Sequence, residues 1–214
     1  AFADTQVAAL TAAQLGVITA TKLAGLDETQ VGAFTTTQMA ALSTSQLAAF
    51  NATKVSAFAD TQIAALSATQ VRAFTVTQLN ALQAADIGEF TTTQITGMST
   101  TQIAGMNATV VGALTDTQIG AMTATQLQAM VAANVHALNA TQVAGLDNTQ
   151  VASLTAAQIT AMDATDIGEF SADKIAHMTT TQIKAFNSTK LAALDESQVA
   201  ALTATQLQAI TTTN

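Results

Sequence analysis

The 214-residue sequence contains no cysteine, proline, tryptophan or tyrosine, and only 9% of its residues are charged. Without cysteine the chain has no disulfide, no thiolate nucleophile and no thiolate metal site. Six lysines and arginines stand against fourteen aspartates and glutamates, and this acidic balance argues against a nucleic-acid-binding surface. Because threonine and glutamine recur throughout, no apolar run reaches the roughly 18 residues that a membrane-spanning helix needs. We therefore expect no membrane insertion.

The chain consists of 26 consecutive repeats of eight residues, of which the first begins at Ala3. Each octad follows the pattern T-x-T-Q-(V/I/L)-x-A-(L/F/M), and the segment from Thr123 to Met130 is a typical copy. Position 5 is aliphatic or methionine and position 8 is Leu, Phe, Met or Ile in every copy. Position 1 is Thr, Ser, Asp or Asn in 22 of the 26 copies, and position 4 is Gln in 18. A short period that fills the chain predicts a repeat architecture.

Each octad carries a complete signal for the start of a helix. The four residue types at position 1 are those preferred at a helix N-cap, and the Gln three residues later completes a capping box. Position 8 of the preceding octad and position 5 are both apolar, as in a hydrophobic staple. Because this signal recurs every eight residues, the helix must stop and restart in each octad. We predict an all-α solenoid of short capped helices, one per octad, with breaks near position 1 and more than half of the residues in helices.

Two other architectures fit the period less well. In one continuous helix eight residues rotate by about 800°, so the apolar pair would drift by about 80° per octad and form no lasting stripe. A β-solenoid is the better alternative, because a strand period of two divides eight. It would, however, place positions 5 and 8 on opposite faces, and it uses alanine and glutamine, which are poor strand formers.

Stacking must stabilise these helices, since a helix of about seven residues does not persist alone in water. Positions 5 and 8 lie on one helical face and supply a single continuous core, so we expect one domain over residues 1–214. Small residues at position 7 would let neighbouring helices approach closely. The simplest arrangement has two octads per turn. The segment Asp86–Phe90 recurs as Asp166–Phe170, ten octads later, a spacing that is divisible by two but not by three.

The sequence contains few residues in patterns typical of catalysis, metal binding or cofactor binding. His136 and His177 each lack the second histidine or carboxylate at i+4 that a zinc-binding helix shows. No nucleophile motif and no glycine-rich phosphate loop occur, and a thin array of Ala-rich octads leaves little room for a substrate pocket. We expect no enzymatic activity and no cofactor.

The sharpest local anomaly is a set of acidic substitutions. Asp86 and Asp166 replace the Gln at position 4, and Glu89 and Glu169 replace the small residue at position 7. Since calcium and similar hard cations favour clustered carboxylates, the second copy is a candidate ion site, made of Asp163, Asp166, Glu169 and Asp173. The favoured interpretation is structural, because an aspartate near a helix N-terminus is stabilised by the helix dipole and by unpaired N–H groups.

The octads resemble a known class of repeat. The stretch from Ala113 to Met122 is similar to the T-T-x-Q-(I/V)-x-A-L tracts of very large secreted bacterial surface proteins of the adhesin-like type, which are usually exported by type I secretion. The resemblance covers the whole chain and implies an extracellular structural or adhesive role. It carries over no catalytic or ligand-binding residue.

Two functional hypotheses follow. The first is a stalk, spacer or filament subunit at the bacterial cell surface. Because the chain begins and ends inside an octad, we expect either a longer array or end-to-end self-association. The alternative is a binding module whose repeated face, for example the threonines at position 3, recognises ice or a surface glycan. The outward position 6 varies widely, from glycine to Arg72 and Lys184, and this variation favours the structural hypothesis.

Overall fold

A computed structural model describes residues 3–211 of the chain. It is all-helical, with 67% of residues in helices and no strand in the described range, and it contains 26 short helices in a repeating arrangement. Each helix begins in its own octad, and the last helix, α26 (Ala204–Thr211), extends one residue beyond its octad. The prediction of one short helix per octad is confirmed, and the β-solenoid alternative is wrong.

The chain forms two compact units, one ending at Gln102 and the other beginning at Ile103. In the first unit the helices are α1 (Asp4–Ala8), α2 (Ala12–Gly16), α3 (Ala20–Leu23), α4 (Glu28–Gly32), α5 (Thr36–Ala41), α6 (Thr44–Ala48), α7 (Ala52–Val55), α8 (Asp60–Ala64), α9 (Ala68–Arg72), α10 (Val76–Leu79), α11 (Ala84–Gly88) and α12 (Thr92–Gly97). Helix α13 (Thr100–Gly105) contains the division. In the second unit they are α14 (Ala108–Ala113), α15 (Asp116–Ala121), α16 (Ala124–Ala129), α17 (Ala132–His136), α18 (Ala140–Gly145), α19 (Asn148–Ser153), α20 (Ala156–Ala161), α21 (Ala164–Gly168), α22 (Ala172–His177), α23 (Thr180–Lys184), α24 (Ser188–Ala192), α25 (Glu196–Ala201) and α26 (Ala204–Thr211). That both units belong to one uninterrupted array stays a prediction.

In the typical octad the local sequence starts and ends the helix as the capping pattern predicts, whereas the N-cap residues Ala3, Thr19, Ala59, Gln83 and Val131 make no side-chain cap bond. At Thr123 the backbone is extended, with φ −70° and ψ 155°, and the hydroxyl accepts the N–H of Gln126 at 3.2 Å. The Gln126 Oε1 accepts the Thr123 N–H at 2.9 Å and completes the capping box. The helix then ends at position 8, where the Met130 N–H donates to the Leu127 carbonyl at 3.2 Å.

The turn of the solenoid is longer than predicted. Within each unit, helices pack on the helix three places further along the chain, as α9 does on α12 in the first unit and α15 on α18 in the second. Side-chain bonds between turns join residues 28 and 31 apart, so one turn takes between three and four octads, and the prediction of two octads per turn is wrong. The physical reason lies in the links. Met122 and Thr123 are both extended and no described residue has a positive φ, so each link turns a corner without reversing the chain.

Positions 5 and 8 form the core in both units. In the typical octad Leu127 is fully buried and Met130 is 3% exposed. Positions 1, 3 and 6 are mainly exposed, and position 2 is exposed or half-buried. Consecutive turns come very close at two glycines of position 7, Gly97 and Gly145. A Cβ on Gly145 would lie 2.7 Å from the Asp116 carbonyl oxygen. The close approach expected from small residues at position 7 is therefore confirmed at this contact.

Candidate functional site

Most of the glutamines at position 4 have two structural roles, and the candidate site arises where the residue at that position changes. In Gln94 the side-chain Oε1 accepts the Thr91 N–H at 2.7 Å, within the same octad. The Nε2 of the same side chain donates to the preceding turn, to the carbonyls of Ile63 at 3.2 Å and Leu66 at 2.6 Å. Those carbonyls belong to a helix C-terminus, where backbone acceptors lack partners inside the helix. One buried side chain thus caps its own helix and satisfies the end of an earlier one.

We call this second set of bonds the inter-turn clasp: a position-4 side chain donating to backbone carbonyls 28 to 31 residues earlier. It recurs in both units. The glutamines whose clasps are seen within one unit are Gln38, Gln46, Gln62, Gln70, Gln78, Gln94, Gln102, Gln142, Gln150, Gln158, Gln182, Gln198 and Gln206. Sequence analysis identified the capping role of these residues but missed the clasp.

Lysine at position 4 keeps the clasp and gives up the cap acceptor. Lys174 Nζ donates to the carbonyls of Val143 at 3.0 Å and Ala144 at 2.8 Å. Lys190 Nζ does the same with Ile159 at 2.9 Å and Thr160 at 2.8 Å. Burial lowers the pKa of both lysines. The ammonium group, which only donates hydrogen bonds, suits the carbonyl-lined end of the earlier helix.

Aspartate at position 4 does the opposite, because a carboxylate only accepts. Asp86 is 3% exposed, and its Oδ2 accepts the Gln83 N–H at 2.8 Å. Burial raises the pKa of Asp86. The Gln83 N–H opposes that rise, and the neighbouring Asp60 carboxyl adds to it. The first acidic copy therefore retains the cap and places a carboxyl where other octads have a donor.

In the second acidic copy a histidine from the preceding turn meets the aspartate. His136, at the end of α17, lies with its Nδ1 2.6 Å from the Asp166 Oδ2 on α21. The pKa of His136 is raised, first by the hydrogen bond with Asp166 and then by its negative charge, with a smaller contribution from Asp163. His136 thus replaces the lost clasp by an ion pair between turns.

Asp163 completes this group from the N-cap of α21. Its Oδ1 accepts the N–H groups of Thr165 at 2.7 Å and Asp166 at 3.0 Å, and its own N–H donates to the Asp166 Oδ2 at 2.7 Å. The bond from the Asp166 N–H is the main cause of the lowered pKa of Asp163. Ligand-type atoms of His136, Asp163 and Asp166 all lie within 4.8 Å of one another. We call these three residues the His–Asp cluster.

Two further charged groups lie beside the cluster. Burial raises the pKa of Glu169, and the negative charges of Asp166 and Asp163 raise it further. The Glu169 Oε2 is buried and has no hydrogen-bond partner among the described residues. Lys190, whose Nζ is held by backbone carbonyls, lines a surface cavity of about 240 Å³ together with Asp163 and Asn187.

The fourth residue of the ion site expected from the sequence lies elsewhere. Asp173 accepts a bond from Asn148 Nδ2 at 2.7 Å, and its Oδ1 lies 3.5 Å from the Nδ1 of His177, four residues further along the chain. The sequence analysis considered only the residue four places after each histidine and therefore missed this carboxylate, which lies four places before His177. The structure therefore brings Asp163 and Asp166 together, with Glu169 beside them, but not Asp173. His136 was missed as their partner, because its position becomes meaningful only when the length of the turn is known.

Comparisons with known proteins agree with the repeat architecture. A family model described as the ALTTAQ repeat matches residues 175–212. The comparison with curated proteins gave no significant match. None of the helices between residues 3 and 211 has the length and apolar character that a bilayer-spanning helix requires. The chain is a helical repeat protein.

Proposed function

We propose that this chain is a structural spacer outside the cell, forming part of a stalk or filament in an adhesin-like bacterial surface protein. The observation that carries the proposal is the recurrence of the same clasp, as in Gln38 on Val7 and Leu10 and in Gln206 on Ile175 and Met178. Repeat proteins in which each unit contacts only near neighbours extend by adding units. Such a design supplies length without needing a specialised site in each repeat.

The exposed positions also support a spacer. Position 6 is outward-facing and mainly exposed, and it holds residues as different as Arg72, Asn80, Gln128 and Lys184. A surface that recognises a regular ligand would be expected to repeat one residue type. The net charge of −8 is consistent with a soluble surface that does not associate side to side.

The experiment compares the 214-residue chain with a tandem fusion of two copies joined in octad register. Small-angle scattering and negative-stain electron microscopy measure the longest dimension of each. A spacer should be elongated, and the fusion should be about twice as long. A fusion that folds into a compact particle no longer than the single chain would contradict the proposal. Antibody labelling of intact cells tests the extracellular location, and labelling only after lysis would reject it.

A second candidate function rests on the threonines at position 3, such as Thr117 and Thr125, whose side chains are exposed. Exposed threonine arrays present methyl and hydroxyl groups together, which is the chemistry of an ice-binding face. A thermal hysteresis measurement on the purified chain separates the two candidates. Hysteresis that disappears when exposed position-3 threonines are replaced by lysine would favour ice binding. If the unchanged chain shows no hysteresis, the spacer function is favoured.

A further inference from the structure

We propose that the His–Asp cluster binds a divalent transition-metal ion, with Zn²⁺ as the preferred probe, and that the ion joins two successive turns of the second unit. The ligands are one imidazole from α17 and two carboxylates from the start of α21. Their ligand-type atoms lie within 4.8 Å of one another. This separation lets one ion reach all three with small side-chain movements, since zinc bonds to nitrogen and oxygen ligands are about 2.0–2.2 Å long. The ion takes the place of the proton between His136 and Asp166, and that proton is released to solvent on binding.

The kind of ligand decides the kind of metal. Calcium and magnesium prefer ligand sets made only of oxygen, whereas imidazole suits zinc, copper, iron and nickel. The structure adds His136 to the carboxylates of Asp163 and Asp166, so the expected preference moves from calcium to zinc. Three protein ligands leave at least one position of a tetrahedral site for water.

The surroundings of the cluster support an ion in two ways. His136 and Asp163 are exposed, so the site is open to solvent. Glu169 is close enough for Asp166 and Asp163 to raise its pKa, and its Oε2 is a buried oxygen without a partner among the described residues. A buried carboxylate oxygen of that kind is costly to leave unpaired, and a nearby cation would offset the cost. The positive charge of Lys190 does not occupy the site, because its Nζ is bonded to Ile159 and Thr160.

The first acidic copy shows which residues make the difference. Asp86 corresponds to Asp166, but Ser56 stands where the second copy has His136, and Gln83 stands where it has Asp163. The first copy therefore lacks two of the three ligands. It provides a control within the same chain.

The experiment is a calorimetric titration of Zn²⁺ into the full 214-residue chain, with Ca²⁺ titrated separately. We expect one Zn²⁺ per chain and no comparable binding of Ca²⁺. His136→Gln and Asp163→Asn should each weaken Zn²⁺ binding at least tenfold. His177→Gln, which removes the histidine that lies 3.5 Å from Asp173, should bind like the unchanged chain. Zn²⁺ binding that is absent, or that is equally strong in His136→Gln, would overturn the proposal.

Two further measurements keep the result independent of variant folding. In the unchanged chain, Zn²⁺ should shift the ring resonances of His136 in an NMR spectrum and leave those of His177 in place. The double variant Ser56→His, Gln83→Asp, which copies the ligands around Asp86, should bind a second Zn²⁺. A shift at His177 instead of His136 would count against the assignment. A folded double variant that still binds one ion would also show that these ligands do not make the site.

Discussion

At the scale of single residues, position 4 explains both the regularity of the chain and its exceptions. The amide of glutamine places an acceptor and a two-proton donor on the same planar group, and its side chain is long enough to serve the cap and the clasp together. Lysine retains the clasp, as in Lys174, and aspartate retains the cap, as in Asp86. Asn134, which is shorter, reaches the Met106 carbonyl at 2.7 Å. The exceptions are therefore partial replacements of one bifunctional group.

The clasp predicts that changing an amide to a carboxylate is costly only where a preceding turn lies beneath it. In Gln94→Glu the new oxygen would face the carbonyls of Ile63 and Leu66, which now accept from Nε2. We expect a loss of roughly 2–4 kcal/mol in the free energy of unfolding, because buried acceptors lose their donor and face a charge. Urea unfolding followed by circular dichroism measures it.

Gln14→Glu is the matched control. Gln14 has the same capping box with a threonine, but it is exposed and its side-chain bonds run to Thr11. A carboxylate there keeps the cap acceptor at a helix N-terminus, where negative charge is favourable, so we expect little change. Equal losses in the two variants would show that the clasp contributes nothing.

The raised pKa of Asp86 gives a pH prediction. Between the ordinary value of 3.8 and the higher value in the folded chain, the folded state binds more protons than the unfolded state. Stability from this group is therefore complete below pH 3.8 and is lost as the pH rises through the folded pKa. Asp86→Asn removes this loss and supplies a donor, so it should stabilise the first unit by about 1 kcal/mol at pH 7.

The test of this prediction is the difference in unfolding free energy between Asp86→Asn and the unchanged chain, measured from pH 3 to 7. The difference should grow with pH and then level off. Asp60→Asn checks the contribution of the neighbouring carboxyl, and it should lower the pKa of Asp86 without removing the effect of burial. A difference that shrinks as the pH rises would contradict the expected direction of the effect.

At the scale of the helix, the sequence predicted the elements well because their signals are local. The cap, the box and the staple all lie within nine residues, and an octad such as Thr123 to Met130 forms the expected helix with the expected bonds. The turn length could not be obtained in the same way. It depends on the angle of a two-residue link, and its evidence, bonds between residues 28 and 31 apart, appears only in three dimensions.

Because helices of successive turns come into close contact, replacing a glycine should be costly at some positions and favourable at others. An alanine at position 145 would bring its Cβ to 2.7 Å from the Asp116 carbonyl oxygen, which is backbone and cannot turn away. Gly145→Ala should therefore destabilise the second unit by about 1–3 kcal/mol. Gly112→Ala, where a Cβ meets nothing within 4 Å, should stabilise it by about 0.5–1 kcal/mol, because alanine is the better helix former. Thermal unfolding measures the melting temperature of both variants. A change of the same sign in both would contradict the prediction that the close contact at Gly145 sets it apart.

At the scale of the whole molecule, the repeat should matter more than any particular copy. Deleting the octad from Thr123 to Met130 brings Gln150 over the carbonyls of Val111 and Leu114, which Gln142 binds in the unchanged chain. Since every octad has the same core and clasp positions, we expect the fold to re-register with a modest loss of stability. Deleting only residues 127–130 leaves one octad without positions 5 and 8 and should cost more. Melting curves of the two variants test this expectation. A larger loss of stability from the octad deletion than from the four-residue deletion would contradict re-registration.

The candidate site could be predicted only in part for the same reason. Asp163 and Asp166 share one helix start, so their proximity follows from the sequence. His136 lies 30 residues from Asp166, and nothing local connects them. Asp173 lies only seven residues beyond Asp166 in the sequence, yet its carboxylate pairs with Asn148 and His177. Closeness along the chain was a poor guide, because a corner at each octad sends neighbouring residues to different sides.

The clasp has a consequence for a chain that has been cut. If a protease opened the peptide bond after Met130, four side chains beyond the nick would still hold backbone before it: Asn134 on Met106, Gln142 on Leu114, Gln150 on Met122 and Gln158 on Met130. The buried residues of positions 5 and 8 would span the same gap. The two fragments of the second unit should therefore stay associated after cleavage and separate only when denaturant unfolds them.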